Sequence, residues 1–223
     1  MPERPGLLRR SVAEGLAAFA LVFAGCGAVV TNATHQGALG AVGVSLVFGL
    51  VIMVMIYATG HLSGAHINPA VTIAFTITRH FPGRDAIAYI GAQLLGATAG
   101  ALLLLAAWSS KPAHLGTTLP SVGTGTALVY EIVLTAFLMF VIIAVATDTR
   151  AVGAAAAIAI GGTVGLDALF GGPITGASMN PARSFGPALA SGTWTHFWIY
   201  IVGPVIGAAL GAFAYQFIRD ERA

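Results

Sequence analysis

The side chains with most to offer chemically come in two matched sets. Gly64-Ala65-His66-Ile67-Asn68-Pro69-Ala70 reappears 112 residues later as Gly176-Ala177-Ser178-Met179-Asn180-Pro181-Ala182. Asparagine is a strong N-cap and proline is favoured at the first helical position, so each Asn-Pro pair reads as a helix start. The stretches before them, 60–67 and 172–179, carry Gly and Pro and read as non-helical. Their free carbonyls (Gly64, Ala65, His66, Ile67 and Gly176, Ala177, Ser178, Met179) would form a ladder of acceptors, and the Asn68 and Asn180 amides would donate. A helix N-terminus carries roughly half a positive charge. Two such ends facing one another repel a cation and leave a neutral molecule nearly untouched. Arg183, three residues after Asn180, would add a second barrier of the same sign.

These residues need elements to hold them, and composition says where those elements live. Of 223 residues 57% are hydrophobic and 8% charged, with a mean hydropathy of +0.88. A soluble domain carries about 25% charged residues, so most of this surface must face lipid. The net charge of +2 is too small to argue for a nucleic-acid partner, and the single cysteine rules out an intrachain disulfide framework and a cysteine-based zinc site. Six apolar runs are long enough to cross a bilayer: roughly 11–31, 39–59, 86–108, 127–147, 152–170 and 196–218. Two further apolar pieces, 68–78 and 180–190, are about half that length. The fold class is an all-α membrane protein with six transmembrane helices and two re-entrant half-helices. Bare backbone at membrane depth is tolerated only where it lines a water-filled cavity. Two re-entrant pieces meeting at the midplane meet that condition.

The halves repeat. Glu14 opens the first and Glu131 the second, and Gly96 and Gly100 correspond to Gly207 and Gly211. Residues 1–108 form the first repeat, 109–126 a linker, and 127–223 the second repeat. Three spans per half make the second inverted relative to the first, and inverted repeats place a functional site near the midplane. With both termini cytoplasmic, Arg4, Arg9, Arg10, Arg79, Arg84, Arg150, Arg219 and Arg222 lie inside, against Lys111 and Arg183 outside. The linker is then extracellular. Arg9-Arg10 before an apolar run resembles a secretory leader, but Glu14 interrupts that run and a similar run recurs around Glu131. Cleavage is therefore not expected, and Cys26 reads as a packed helix residue.

The motifs resemble those of the aquaporin, or major intrinsic protein, family over nearly the whole chain. The resemblance rests on Gly60-His61-Leu62-Ser63-Gly64-Ala65-His66-Ile67-Asn68-Pro69-Ala70-Val71-Thr72 and Asn180-Pro181-Ala182-Arg183-Ser184. Residues 51–57, 145–153 and 176–180 look most similar to the nodulin-like branch and its bacterial relatives. The resemblance implies a right-handed helical bundle, a homotetramer with one pore per subunit, and a bacterial inner membrane as the location. It also implies a narrow filter at Phe48, Ala168, Ala177 and Arg183. Strict water channels resemble one another in having histidine at the Ala168 position. The small Ala168 and Ala177 imply passage of glycerol, urea, boric acid or arsenous acid beside water. Ser184 and the Phe197-Trp198 pair look more like a water channel, and a strict water pore is the alternative within this class.

No catalytic residue, cofactor or metal is expected. Glu14 and Glu131 could relay protons, but the favoured reading is that each accepts hydrogen bonds from the re-entrant loop of its own half. His61 and His66 lack further ligands for a metal, and His61 is expected to line the cytoplasmic half of the pore. Asp167 reads as a solvated helix end. Trp194, His196 and Trp198 read as an interfacial belt, the paired glycines as close helix crossings, and Asn32-Ala33-Thr34 as a sequon on an outer loop. A secondary transporter also uses inverted repeats and broken helices, and a coupling carboxylate beside the breaks would favour it. A membrane enzyme would need a base–nucleophile or metal constellation, and the sequence has none.

Overall fold

Apolar runs in lipid must satisfy their backbone internally, so they fold as helices. The computed structural model of the chain describes residues 5–148 and 155–219, and no strand occurs among them. Among the described residues six helices are long and apolar enough to cross a membrane: α1 (Leu7–Thr34), α2 (Gly40–Ser63), α4 (Gly83–Ala107), α5 (Thr124–Thr147), α6 (Ala156–Thr175) and α8 (Ile199–Ile218). Two short ones, α3 (Pro69–Ile77) and α7 (Pro181–Ser191), have 9 and 11 residues. At 1.5 Å per residue they are about 14 and 17 Å long, half a bilayer core. Arg4, Arg150 and Arg222 lie outside the described residues.

The packing follows the repeat. α1 lies along α4 as α5 lies along α8; α3 leans on α8 as α7 leans on α4; α2 packs on α6. The first two contacts are backbone-close. A Cβ on Gly96 would run into the Gly15 carbonyl, and one on Gly207 into the Ile132 carbonyl. Small residues at such crossings let helices approach where no hydrophobic force drives them together.

Two boundaries differ from expectation. The non-helical stretches are shorter than 60–67 and 172–179, because α2 continues to Ser63 and α6 to Thr175. Each helix ends on a glycine in the left-handed conformation, Gly64 at φ 91° and Gly176 at φ 85°. That conformation suits glycine, which has no Cβ to clash. Pro173 stays inside α6, and Ser121 instead caps the exposed end: its hydroxyl donates to the Pro173 carbonyl at 2.8 Å and its N–H to the Ile174 carbonyl at 2.9 Å. Within α1, Leu21–Cys26 is π-helical.

One end of the bundle gathers the described arginines other than Arg183. Arg10 pairs with Asp85 at 2.9 Å, Arg219 donates to Thr147, and Gln216 donates to the Thr78 carbonyl. The opposite end holds the linker, where Lys111 donates to the Ser191 carbonyl and His114 meets Thr193.

Candidate functional site

The two loops that precede α3 and α7 carry unusual backbone. Ala65 and Ile67 have φ of 46° and 57°; Ala177 and Met179, their counterparts, have 41° and 54°. Left-handed conformations cost a residue with a Cβ about 1–2 kcal/mol each, so something must hold them. Glu14 and Glu131 do so. Glu14 accepts from Ser63 Oγ (2.7 Å), His66 N (2.9 Å), Ile67 N (2.6 Å) and Gln93 Nε2 (2.9 Å). Glu131 accepts from Thr175 Oγ1 (2.7 Å), Ser178 N (2.9 Å) and Met179 N (2.9 Å). Both side chains are fully buried. Ser63 and Thr175 in turn accept from Ala65 N and Ala177 N. Tyr89 and Tyr200 donate to the last helical carbonyls, those of Ser63 and Thr175, at 2.8 and 2.7 Å.

With N–H groups turned back to the glutamates, the loops can present carbonyls elsewhere. The asparagines then lock the halves together. Asn68 Nδ2 donates to the Met179 carbonyl at 2.7 Å, and Asn180 Nδ2 donates to the Ile67 carbonyl at 3.0 Å. Their Oδ1 atoms cap the half-helices, Asn68 for Ala70 N and Asn180 for Ala182 N and Arg183 N. Pro69 and Pro181 occupy the first helical positions. Each amide keeps one N–H beyond these bonds. Past both asparagines runs a cavity of about 70 Å³, lined by the loop residues Gly64–Asn68 and Ala177–Asn180 on one side. Ile52, Ile56, Leu138, Ile142, Ile160 and Val164 make the rest of its wall apolar. A file of a few water-sized molecules fits such a volume.

Phe48, Ala168, Ala177 and Arg183 also line the cavity. Arg183 is 4% exposed. Its Nη1 donates to the Gly116 carbonyl at 2.8 Å, and its guanidinium carbon lies 4.8 Å from the centre of the Phe48 ring. Phe48, Ala168 and Arg183 also line a wider vestibule of about 310 Å³ toward the linker. Gly116 follows a left-handed turn in which Lys111, Ala113, His114 and Leu115 all have positive φ. Thr118 Oγ1 lies 2.7 Å from Ser184 Oγ, which lies 2.6 Å from Ser178 Oγ. The linker is thus a wall of the site as well as a connection.

Some readings of the sequence need correction. His61 is exposed at the end of α2, and the cavity is lined by His66 instead. His66 is packed among Phe75, Phe81 and Tyr89, with Nδ1 3.1 Å from Thr72 Oγ1. Asp167 is 1% exposed, because it falls on the same face of α6 as Val164 and Gly171, turned inward. Asn32 is engaged: its Oδ1 accepts from Leu39 N and Gly40 N. Cys26 is buried, its Sγ 3.8 Å from the Gly116 carbonyl. Tyr89, Tyr200, Gln93, Gly116 and Thr118 were not singled out from the sequence. The tyrosines share the 111-residue offset of Gly96 and Gly207, which could have found them. Gly116 and Thr118 sit in a linker with no counterpart in the repeat.

Comparison with known proteins agrees with this geometry. A family model described as major intrinsic protein matches residues 2–215. Aquaporin NIP1-1 of Zea mays is 50% identical over 212 residues, covering 95% of this chain and 75% of the relative. Nodulin-26 of Glycine max is 46% identical over 212 residues, covering 95% and 78%. The aquaglyceroporin from Plasmodium falciparum superposes with a TM-score of 0.84 at 28% identity, covering 96% of this chain and 97% of that one. None of these three is bacterial, so they lend no support to a bacterial inner membrane. Six membrane-length helices, two half-helices joined through their asparagines, and this match over nearly the entire length make the chain a member of the major intrinsic protein family, an integral membrane channel and not an enzyme.

Proposed function

We propose that the chain is a passive channel for water and small uncharged solutes of the glycerol, urea, boric acid or arsenous acid type, and that it turns back protons and ions. The observation that carries this reading is the mutual bonding of Asn68 and Asn180 across one narrow cavity that Arg183 also lines. A permeant there exchanges hydration for loop carbonyls and asparagine amides along one wall and slides past apolar side chains on the other. A cation meets two positive helix ends and a guanidinium. Phe48, Ala168, Ala177 and Arg183 form the filter in this reading. Ala168 and Ala177 leave two of its walls small, which suits a compact polyol or trihydroxide. The name aquaglyceroporin, carried by the Plasmodium falciparum neighbour, is consistent with it.

The second reading is a pore for water alone, favoured by the bulk of Phe48 and its closeness to Arg183. Stopped-flow light scattering on proteoliposomes separates the two. Flux of glycerol, urea or boric acid that rises linearly with the gradient supports the first; water flux without any of them defeats it, and saturable, ion-coupled flux would indicate a transporter. In the double variant Ala168→His/Ala177→Thr, solute flux should fall about tenfold or more while water flux falls no more than about twofold. In the same reading the termini and the arginine-rich end are cytoplasmic, and four copies assemble with one pore each, which chemical cross-linking in native membranes tests.

A further inference from the structure

Phe48 is the aromatic wall of the constriction, facing two alanines and Arg183, so whatever sets its position bears on the aperture. The Arg183 guanidinium lies over the ring, 4.8 Å from its centre, and another part of the ring meets no side chain. That part rests against Gly25 of α1: a Cβ built there would overlap the ring atoms Cε1, Cδ1 and Cζ. Gly25 is buried, does not line the cavity, and falls within the π-helical stretch Leu21–Cys26. Single π turns inside α-helices interrupt the regular register and occur often at functional sites. Here the turn brings a residue without a side chain to the back of the ring.

The neighbours of the ring are fixed. Gly49, next to Phe48, is already so close to α6 that a Cβ on it would strike the Gly161 carbonyl, so α2 cannot retreat as a body. Arg183, over the ring, is tied to Gly116, and Gly116 is backed by Cys26. The open space beside the ring is the cavity and the vestibule, both of which Phe48 lines.

We propose that Gly25 is a positioning residue for solute size: by having no side chain it lets Phe48 lie back against α1, and with Ala168 and Ala177 this opens the constriction to solutes wider than water. The proposal rests on the solute-channel reading given above. A methyl group at position 25 drives the ring into the path, so Gly25 acts through Phe48 and not by touching the permeant.

The test is a double-mutant comparison in proteoliposomes, with water, glycerol and urea fluxes normalised to folded protein. Gly25→Ala should lower the glycerol-to-water and urea-to-water flux ratios by at least about fivefold. In Gly25→Ala/Phe48→Leu, which removes the ring, both ratios should return to those of Phe48→Leu alone. An unchanged ratio in Gly25→Ala overturns the proposal, and so does a ratio in the double variant that stays as low as in the single. If Gly25→Ala fails to insert but the double variant inserts, the conflict lies with the ring, as proposed. If both fail, the methyl group collides with something other than Phe48 and the proposal falls. If the unaltered channel passes water and no solute, the solute reading fails by itself. Gly25 is then judged on water alone, with flux slowed in Gly25→Ala and restored by Phe48→Leu.

Discussion

Removing the carboxylate of Glu131 should cost the protein its fold before it alters what passes through it. In Glu131→Ala, the Thr175 hydroxyl and the N–H groups of Ser178 and Met179 lose their acceptor in a fully buried site. A buried donor left unsatisfied costs about 1–3 kcal/mol. The three share one acceptor and are not additive, so a total of about 4 kcal/mol is expected. That is a large share of the 5–15 kcal/mol that typically separates folded from unfolded chains. Glu131→Gln is milder and more diagnostic. Its amide keeps one acceptor but turns an NH₂ toward either Met179 N–H or the Ser178 N–H and Thr175 hydroxyl. One mismatched contact at about 2 kcal/mol corresponds to a melting shift of about 4–8 °C for a chain of this size. The assay is monodisperse yield from detergent together with thermal unfolding, followed by flux ratios of the surviving folded fraction. Folded yield should drop steeply for alanine and moderately for glutamine, with glycerol-to-water ratios unchanged. Wild-type melting temperature in Glu131→Ala would refute the reasoning. So would a changed flux ratio at unchanged stability, since the carboxylate would then be acting on the permeant.

The other consequences concern the charge barrier and the helix crossings. Arg183→Val removes the guanidinium over Phe48 and the bond to the Gly116 carbonyl; a pH-sensitive dye inside proteoliposomes should report a proton leak absent from the unaltered channel, and an equally tight variant would show that the helix ends suffice alone. Gly207→Ala drives a methyl group into the Ile132 carbonyl, so yield should fall by more than about half relative to Gly162→Ala, where a Cβ meets nothing. Equal yields would mean that the α5–α8 crossing relaxes freely.

Much of this architecture is legible in the sequence, and for a physical reason. Spans are legible because lipid imposes both length and apolarity, and the half-helices because Asn68-Pro69 and Asn180-Pro181 start helices too short to cross. Glu14 and Glu131 stood out because an acid in an apolar run demands a partner. The linker was opaque: the left-handed turn before Gly116 has no periodicity, and the acceptor that Gly116 offers Arg183 is a backbone carbonyl, which every residue possesses. The helix ends at Ser63 and Thr175 were placed too early, because Gly60 and Gly172 look like breakers while the left-handed caps are Gly64 and Gly176. Gly25 left no trace, since its effect depends on a ring from another helix and on a π turn that no residue pattern announces. Asp167 lies near a helix end, yet its face on α6, shared with Val164 and Gly171, decides its burial.

The crossed asparagine bonds also bear on how the molecule is made. Asn68 leaves the ribosome 111 residues before Met179, the carbonyl that its amide will meet. A partly synthesised chain therefore holds one loop with an idle amide and no opposing half to complete a passage. Until the later segment folds in, the passage lacks one of its two loops, so an unfinished copy is expected to conduct nothing.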